Sequence, residues 1–439
     1  MTLQRRLTSR PYKSAFVGAT RESPFILCAW LFTPLLILLL ITASGTFAQE
    51  PARDPNGNAS ADLQLETLQA EIESLRGITP ETPIDRFYIT PTEWQAFTLD
   101  TLTAQYSEDQ ALTMAWFYYA FHFVEGVMPA AAPEIAPAPA DFYDFQRDHL
   151  YVVNNNQAIT GLRGLFYVAA YTQALVEQNY DVGSLFTEYP FLTDQGLAIR
   201  AVVHGDALFT QQQYLDQVLA NDPAVGFTLL RSAVSLPQDR INANVYEQAA
   251  ERFTFEQGQV FVQYLYNTGG WAMVNDLYDN LPVSMEQVLH PLRYLDGELP
   301  QSVDIASLDD QTPIHSGTMG EFGLRQHLSV QLEPAQAYLM AEGWGGDAFH
   351  LYTEDTAYTL IWRIAWDTAR DAAEFNDTYP LYLERQLGVP GFQQEGTRLV
   401  CWNSTPAACI LRGDQTSVIA YADSIDAAQA LIAGQPEVK

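Results

Sequence analysis

Residues 357–366, AYTLIWRIAW, put Tyr358, Leu360, Trp362, Ile364 and Trp366 at every second position. Side chains of a strand point alternately to its two faces, so this spacing commits the segment to a strand with one bulky apolar face. AFHLYT, 348–353, precedes it as a second strand, and a turn at Glu354-Asp355 makes the two a hairpin. Much of the remaining chain has helical periodicity instead. Leu63, Leu65, Leu68, Ile72 and Leu75 lie near helical spacing, and a mostly helical region runs from about residue 93 to about 290, interrupted by the Pro/Ala loop at 128–142. Thr368 with Asp371 has the form of a capping box opening a helix. The last stretch reads as a hairpin, one more strand and a final helix. The expected class is α+β, predominantly α-helical, with an antiparallel β-hairpin and a small C-terminal α/β part.

The N-terminus carries a targeting pattern. Arg5, Arg6, Arg10, Lys13 and Arg21 precede the apolar run 25–43, and Thr46 and Ala48 stand at the small-residue positions that signal peptidases favour. The run is also near the length of a membrane span, so residues 1–48 are expected to be either a cleaved leader or an N-terminal anchor. Both readings place the chain outside the cytoplasm, secreted or membrane-anchored, touching the membrane only through this segment. Residues 49–85 read as linker and helix, 86–390 as the main domain and 391–439 as its C-terminal part.

Acidic residues outnumber basic ones 53 to 22, for a net charge of -31. That field repels polyanions, which excludes nucleic-acid binding. Of three cysteines, Cys28 falls in the leader; Cys401 and Cys409 form an even pair that reads as a disulfide in an oxidising compartment. The triplets at Asn58, Asn376 and Asn403 fit the N-glycosylation pattern.

The helix YVAAYTQALVEQNYD, 167–181, resembles that of bacterial zincin-type, gluzincin-like metallopeptidase-like exported proteins, whose pattern runs Ala-His-Glu-Tyr-Thr-His-Ala-Leu-Gln-Asp-Gln. Tyr171, Thr172, Ala174, Leu175 and Gln178 match it. LAIRAVVHGDA, 197–207, resembles the helix that supplies that family's third ligand, with Gly205, Asp206 and Ala207 kept. Ser284, Glu286, Gln287, His290 and Pro291 match a further motif, and GWGGDAF, 343–349, and WDTARDAAEF, 366–375, match the closing ones. The resemblance covers most of 150–380 and implies a zincin-like scaffold. It also implies which groups are missing: the His, Glu and His of the metal helix are Ala169, Ala170 and Gln173, and the third ligand is His204. Zinc hydrolysis needs about three protein donors and an open position for water. The expectation is therefore a degenerate site with no metal, no cofactor and no catalytic residue, in a pseudoenzyme that binds or scaffolds an unknown peptide or protein.

Two other readings stand beside it. A hydrolase could work through His204, Asp206, Glu286 and His290, with Asp194 near the first two; Asp206, Glu286 and His290 are the candidate cleft residues. A purely structural envelope protein is the third. The bland alternatives are a core-bonded His204, a Glu286–His290 hydrogen bond along one helix face, a capping box at Ser284 and Gln287, and tight turns at Gly269-Gly270 and Gly345-Gly346.

Overall fold

A computed structural model describes residues 59–104, 107–127, 140–153, 162–189, 193–225, 244–308, 311–393 and 398–436. The leader, most of the linker and most of the Pro/Ala loop lie outside these residues. Among those described, no helix is long and apolar enough to cross a membrane.

The first half is mainly helical. Helix α1 (Ala59–Arg76) carries Asp62 in its first turn and Arg76 in its last, each complementing the helix dipole. Strand β1 (Arg86–Ile89) and helices α2 (Pro91–Ala104) and α3 (Glu108–Ala120) follow, the last opened by a reciprocal Ser107–Gln110 capping box. Strands β2 (Phe142–Asp144) and β3 (His149–Val153) complete a three-stranded sheet in the order β1-β3-β2, with β1 parallel to β3. The periodicity of the sequence predicts only helix and loop here. These strands are too short to display a period of two, and the parallel pair joins segments some sixty residues apart, Arg86 beside Leu150. Then come α4 (Leu162–Tyr180), α5 (Val182–Glu188), α6 (Asp194–Asn221) and α7 (Val245–Arg252). One π-helical turn, Phe253–Gln257, leads into α8 (Gly258–Asp276), and α9 (Met285–Leu289) and α10 (Pro291–Asp296) end the half. Helix α6 is the centre, packed on both α4 and α8. Gly270, at φ 68°, kinks α8 rather than forming a separate turn.

The second half is built on one sheet. Strand β4 (His315–Gly317), helices α11 (Gly320–Ser329) and α12 (Pro334–Ala341), strands β5 (Trp344–Glu354) and β6 (Ala357–Trp366), and helix α13 (Ala369–Leu387) come first. Strands β7 (Phe392–Gln393), β8 (Leu399–Trp402), β9 (Ala407–Arg412) and β10 (Thr416–Ala422) and helix α14 (Ile425–Ala433) follow. The strands form a seven-stranded antiparallel sheet in the order β4-β5-β6-β10-β9-β8-β7. The expected boundary at residue 390 falls inside it, because β10 pairs with β6 along Thr416–Tyr421.

The alternation along β6 works as the sequence implied: Tyr358, Leu360, Trp362, Ile364 and Trp366 all enter the main core. The opposite face is covered too, with Ile361, Val418 and Ala420 packed against Ala428, Leu431 and Ile432 of α14. The hairpin turn lies one residue later than expected, since Glu354 pairs with Ala357 and leaves Asp355 at φ 51°, a region Asp tolerates. Gly345 and Gly346 are not a turn but a bulged start of β5 against the backbone of Gln301; a Cβ on Gly346 would lie 2.3 Å from the Gln301 carbonyl. Thr368 and Asp371 make the expected capping box. Cys401 and Cys409 sit directly opposite in β8–β9 and are disulfide-bonded. Asn376 is buried on α13, with its amide given to the Gly413 carbonyl, so the fold removes it as a glycosylation acceptor, whereas Asn403 is exposed.

The halves meet through α3. Phe121 stands edge-on to Trp362 at 5.2 Å, Phe117 packs on Phe349, and the ring of His327 on α11 bonds the Phe121 carbonyl at 3.0 Å.

Candidate functional site

Helices α4 and α6 run antiparallel. Gln211 near one end of the pair donates to the Leu165 carbonyl at 2.6 Å; Arg200 near the other donates to the carbonyls of Phe186 and Tyr189, beyond the end of α4. Seven residues on from Leu165 and seven back from Gln211, Thr172 and His204 come level, because every helical residue rises by the same amount. Positions 169, 170, 173 and 204 thus belong to one region of the bundle interior. Ala169 and Ala170 are fully buried, Gln173 nearly so, and His204 is 6% exposed.

The imidazole of His204 is turned toward the π-helical turn. It stacks on Phe255 with centroids 4.2 Å apart, and its Nδ1 lies 3.1 Å from the Thr254 hydroxyl. That hydroxyl donates to the Glu251 carbonyl, so it accepts from His204, which assigns the proton to Nδ1. Burial, and secondarily the Arg200 charge, push the imidazole down to about 3, so the ring is neutral.

Asp206, two residues on, faces elsewhere. Its carboxylate accepts from Arg76 Nε at 2.9 Å and Nη2 at 2.6 Å, and from Tyr278 at 2.8 Å. Both side chains of this ion pair are wholly buried. Arg76 also donates to Asn275 and lies over Trp271, so one guanidinium ties α1 to α6 and α8. His204 and Asp206 therefore do not form a joint acid–base site. Arg76 was missed in the sequence because a basic residue in a last helical turn reads as a dipole partner at the surface.

Asp194 is also apart: ten residues separate it from His204, or about 15 Å of helix. It is buried and accepts from the Met285 amide at 3.2 Å. Gly320 backs directly onto its carboxyl, and Asp347 lies close by, accepting from the Met319 and Gly320 amides and the Trp344 and Trp362 indoles. Burial pushes the Asp194 carboxyl up to about 8, the Met285 amide opposing and Asp347 and Glu321 adding to the rise. An unfolded Asp releases its proton near pH 3.9, at about 1.4 kcal/mol per pH unit of difference between the states. Between that value and about 8 the native state binds the extra proton, so this group's stabilisation is full at the acid end and falls as pH rises. Asp194→Asn keeps the acceptor and removes the titration. Relative to the parent, the variant is expected to gain about 1.4 kcal/mol of unfolding free energy per pH unit across this window. Urea melts at pH 5, 6, 7 and 8 measure it, and parallel curves for the two proteins would refute the assignment.

Glu286 and His290 do not pair with each other. His290 precedes Pro291, which disfavours helical backbone, and its φ of -124° and ψ of 78° take it off the α9 face. Its Nε2 instead lies 2.9 and 3.1 Å from the two oxygens of buried Glu321, which Arg325 also contacts. Glu286 faces Arg293 at 3.0 Å, and the same Arg293 nitrogen reaches Asp367 at 2.8 Å and Glu298. Burial pushes the Glu286 carboxyl up to about 8, Arg293 opposing and Glu321, Asp367 and Glu298 adding. Ser284 caps the Gln287 amide, but the Gln287 side chain turns to the Val283 amide and the Glu298 carbonyl, so the box is half made. Its four proposed hydrolytic residues thus lie in four separate hydrogen-bonding environments.

Fold and site together describe an α+β protein with a helical bundle around α6, joined to a seven-stranded antiparallel sheet. A family model described as a domain of unknown function (DUF8575) matches residues 310–432, which hold that sheet and α11 to α14. No curated protein and no solved structure matches the chain.

Proposed function

We propose that this is an exported, non-catalytic protein on a metallopeptidase-like scaffold that docks a peptide or protein rather than cleaving one. The observation that carries the reading is the interior of the α4–α6 pair. Ala169 and Ala170 have no donor atoms, Gln173 has only a neutral amide, and the Nδ1 proton of His204 is committed to Thr254. One imidazole among such neighbours does not make the set of about three ligands and a water that zinc hydrolysis requires. Docking is supported by exposed apolar side chains. Around α10, Leu292, Leu295 and Leu299 are 62%, 38% and 68% exposed, and α8, on which α10 packs through Tyr294 and Phe261, exposes Val260 and Tyr264. Apolar surface of this kind is what a partner's apolar residues cover. The charge of -31 favours a neutral or basic partner.

The test has two arms on the purified chain. Incubation with unstructured protein and fluorogenic peptides, with added zinc or with chelator, is expected to give no cleavage. An array of neutral and basic peptides is expected to show binding that Leu292→Asp with Leu299→Asp weakens by about tenfold, or 1.4 kcal/mol. Chelator-sensitive cleavage lost in His204→Ala would establish the hydrolase instead. An array with no binding would leave the envelope-protein reading.

A further inference from the structure

Three carboxylates converge on one nitrogen of Arg293. Glu286 comes from α9, Glu298 from the turn after α10 and Asp367 from the end of β6, and one oxygen of each lies within 4.8 Å of the others. Two oxygens on a calcium coordination sphere of radius about 2.4 Å are at most about 4.8 Å apart. The guanidinium does not satisfy all three. An Nη1 group has two hydrogens, and these go to Glu298 and to Asp367. Oε1 of Glu286, in a residue only 3% exposed, stands 3.0 Å from the same nitrogen and receives no hydrogen bond. It is a buried acceptor aimed at the cation position with nothing donating to it, a costly arrangement. Once a bound cation holds all three carboxylates in their ionised form, they carry two more negative charges than one guanidinium compensates, which a divalent ion matches.

The backbone around the cluster is pinned. The Asp367 amide donates to the Gly343 carbonyl, the Glu298 amide to the Arg293 carbonyl, and the Glu298 carbonyl accepts from Gln287. The Arg293 side chain is 24% exposed and has an outlet to solvent. We propose that Glu286, Glu298 and Asp367 form a site for a hard divalent cation of the calcium class, bound where the Arg293 guanidinium now stands, with that side chain displaced outward. An all-oxygen, all-anionic donor set suits calcium and lacks the imidazole or thiolate that zinc selects. Water completes the sphere. The ion would join α9 and α10 to the end of β6, tying the helical half to the sheet. This proposal is independent of the peptide-docking reading.

The experiment uses the full chain stripped with chelator, with terbium luminescence displaced by calcium and thermal melting in calcium, magnesium or chelator. Expected are saturable binding in the range of extracellular calcium modules, about 0.1–1 mM, and a higher melting temperature in calcium than in magnesium. Glu298→Gln, on a half-exposed side chain, and Asp367→Asn are each expected to weaken binding by about tenfold or more. Arg293→Gln is expected to strengthen it by about tenfold, because the competing cation is gone. A purely structural ion cluster predicts the reverse for this last variant: lost stability and no calcium response. The proposal is overturned if neither parent nor Arg293→Gln binds saturably up to about 10 mM calcium, or if Glu298→Gln leaves binding unchanged. Should Arg293→Gln fail to fold in both calcium and chelator, Glu298→Gln alone decides.

Discussion

Asp206→Ala is expected to cost about 3–5 kcal/mol of unfolding free energy, the loss seen when one partner of a buried ion pair is removed. Arg76 is wholly buried and would keep its charge with no anion beside it. Tyr278 would also lose its acceptor, and the junction of α1 with α6 and α8 would lose this ionic tie. A loss of this size is a large fraction of the stability of most domains. Replacing both partners with apolar residues of similar size, Arg76→Met with Asp206→Leu, is expected to recover much of it, since the cost lies mainly in the abandoned charge. Urea unfolding followed by circular dichroism of the parent, Arg76→Met, Asp206→Leu and the double variant measures the four corners of the cycle, with Asp206→Ala measured beside them. A single-variant loss under about 1 kcal/mol would mean that water reaches the pair after all.

The second large effect concerns α6 and α8, which cross at backbone contact. A Cβ on Gly258 would lie 2.0 Å from the Ala201 carbonyl oxygen, and one on Gly205 would lie 2.2 Å from the Gly258 carbonyl group. Both obstacles are main chain, so no rotamer change relieves them and the helices must separate. Gly258→Ala is expected to cost about 3 kcal/mol, at the upper end of overpacking penalties. Gly205→Ala should cost a similar amount, and the double variant less than the sum, because one separation serves both methyl groups. Gly164→Ala is the control: its Cβ would meet only Leu68 Cδ1, at 3.8 Å, inside α4, so the gain in helix propensity should leave stability unchanged or raised by up to about 1 kcal/mol. Thermal melts of the four variants and the parent test this, and a Gly258→Ala protein as stable as the parent would mean that the crossing is looser than the distances imply.

Parts of this architecture were legible because they are local. The β6 alternation needs only its own period of two, the Thr368–Asp371 cap needs four residues, and Cys401 and Cys409 are eight apart. The candidate site was legible only in its composition. That positions 169, 170 and 173 bear no titratable group is written in the chain; that His204 would turn to Thr254 and Phe255 is not, because those residues lie fifty positions further on. The off-helix turn of His290 was readable from Pro291, whereas its partner Glu321, thirty-one residues away, was not.

By itself, then, the sequence determined the helical and strand segments whose patterns are short-range, the acidic field, and the absence of titratable side chains at positions 169, 170 and 173 of α4. Tertiary structure alone decided the pairings: Arg76 with Asp206 across 130 residues, β1 beside β3, β10 beside β6, and three carboxylates around Arg293. The physical reason is that a hydrogen bond or a helical period is set by neighbouring φ and ψ angles. Which charge faces which is set instead by the packing of whole helices and sheets, and identical local sequence is compatible with many such packings.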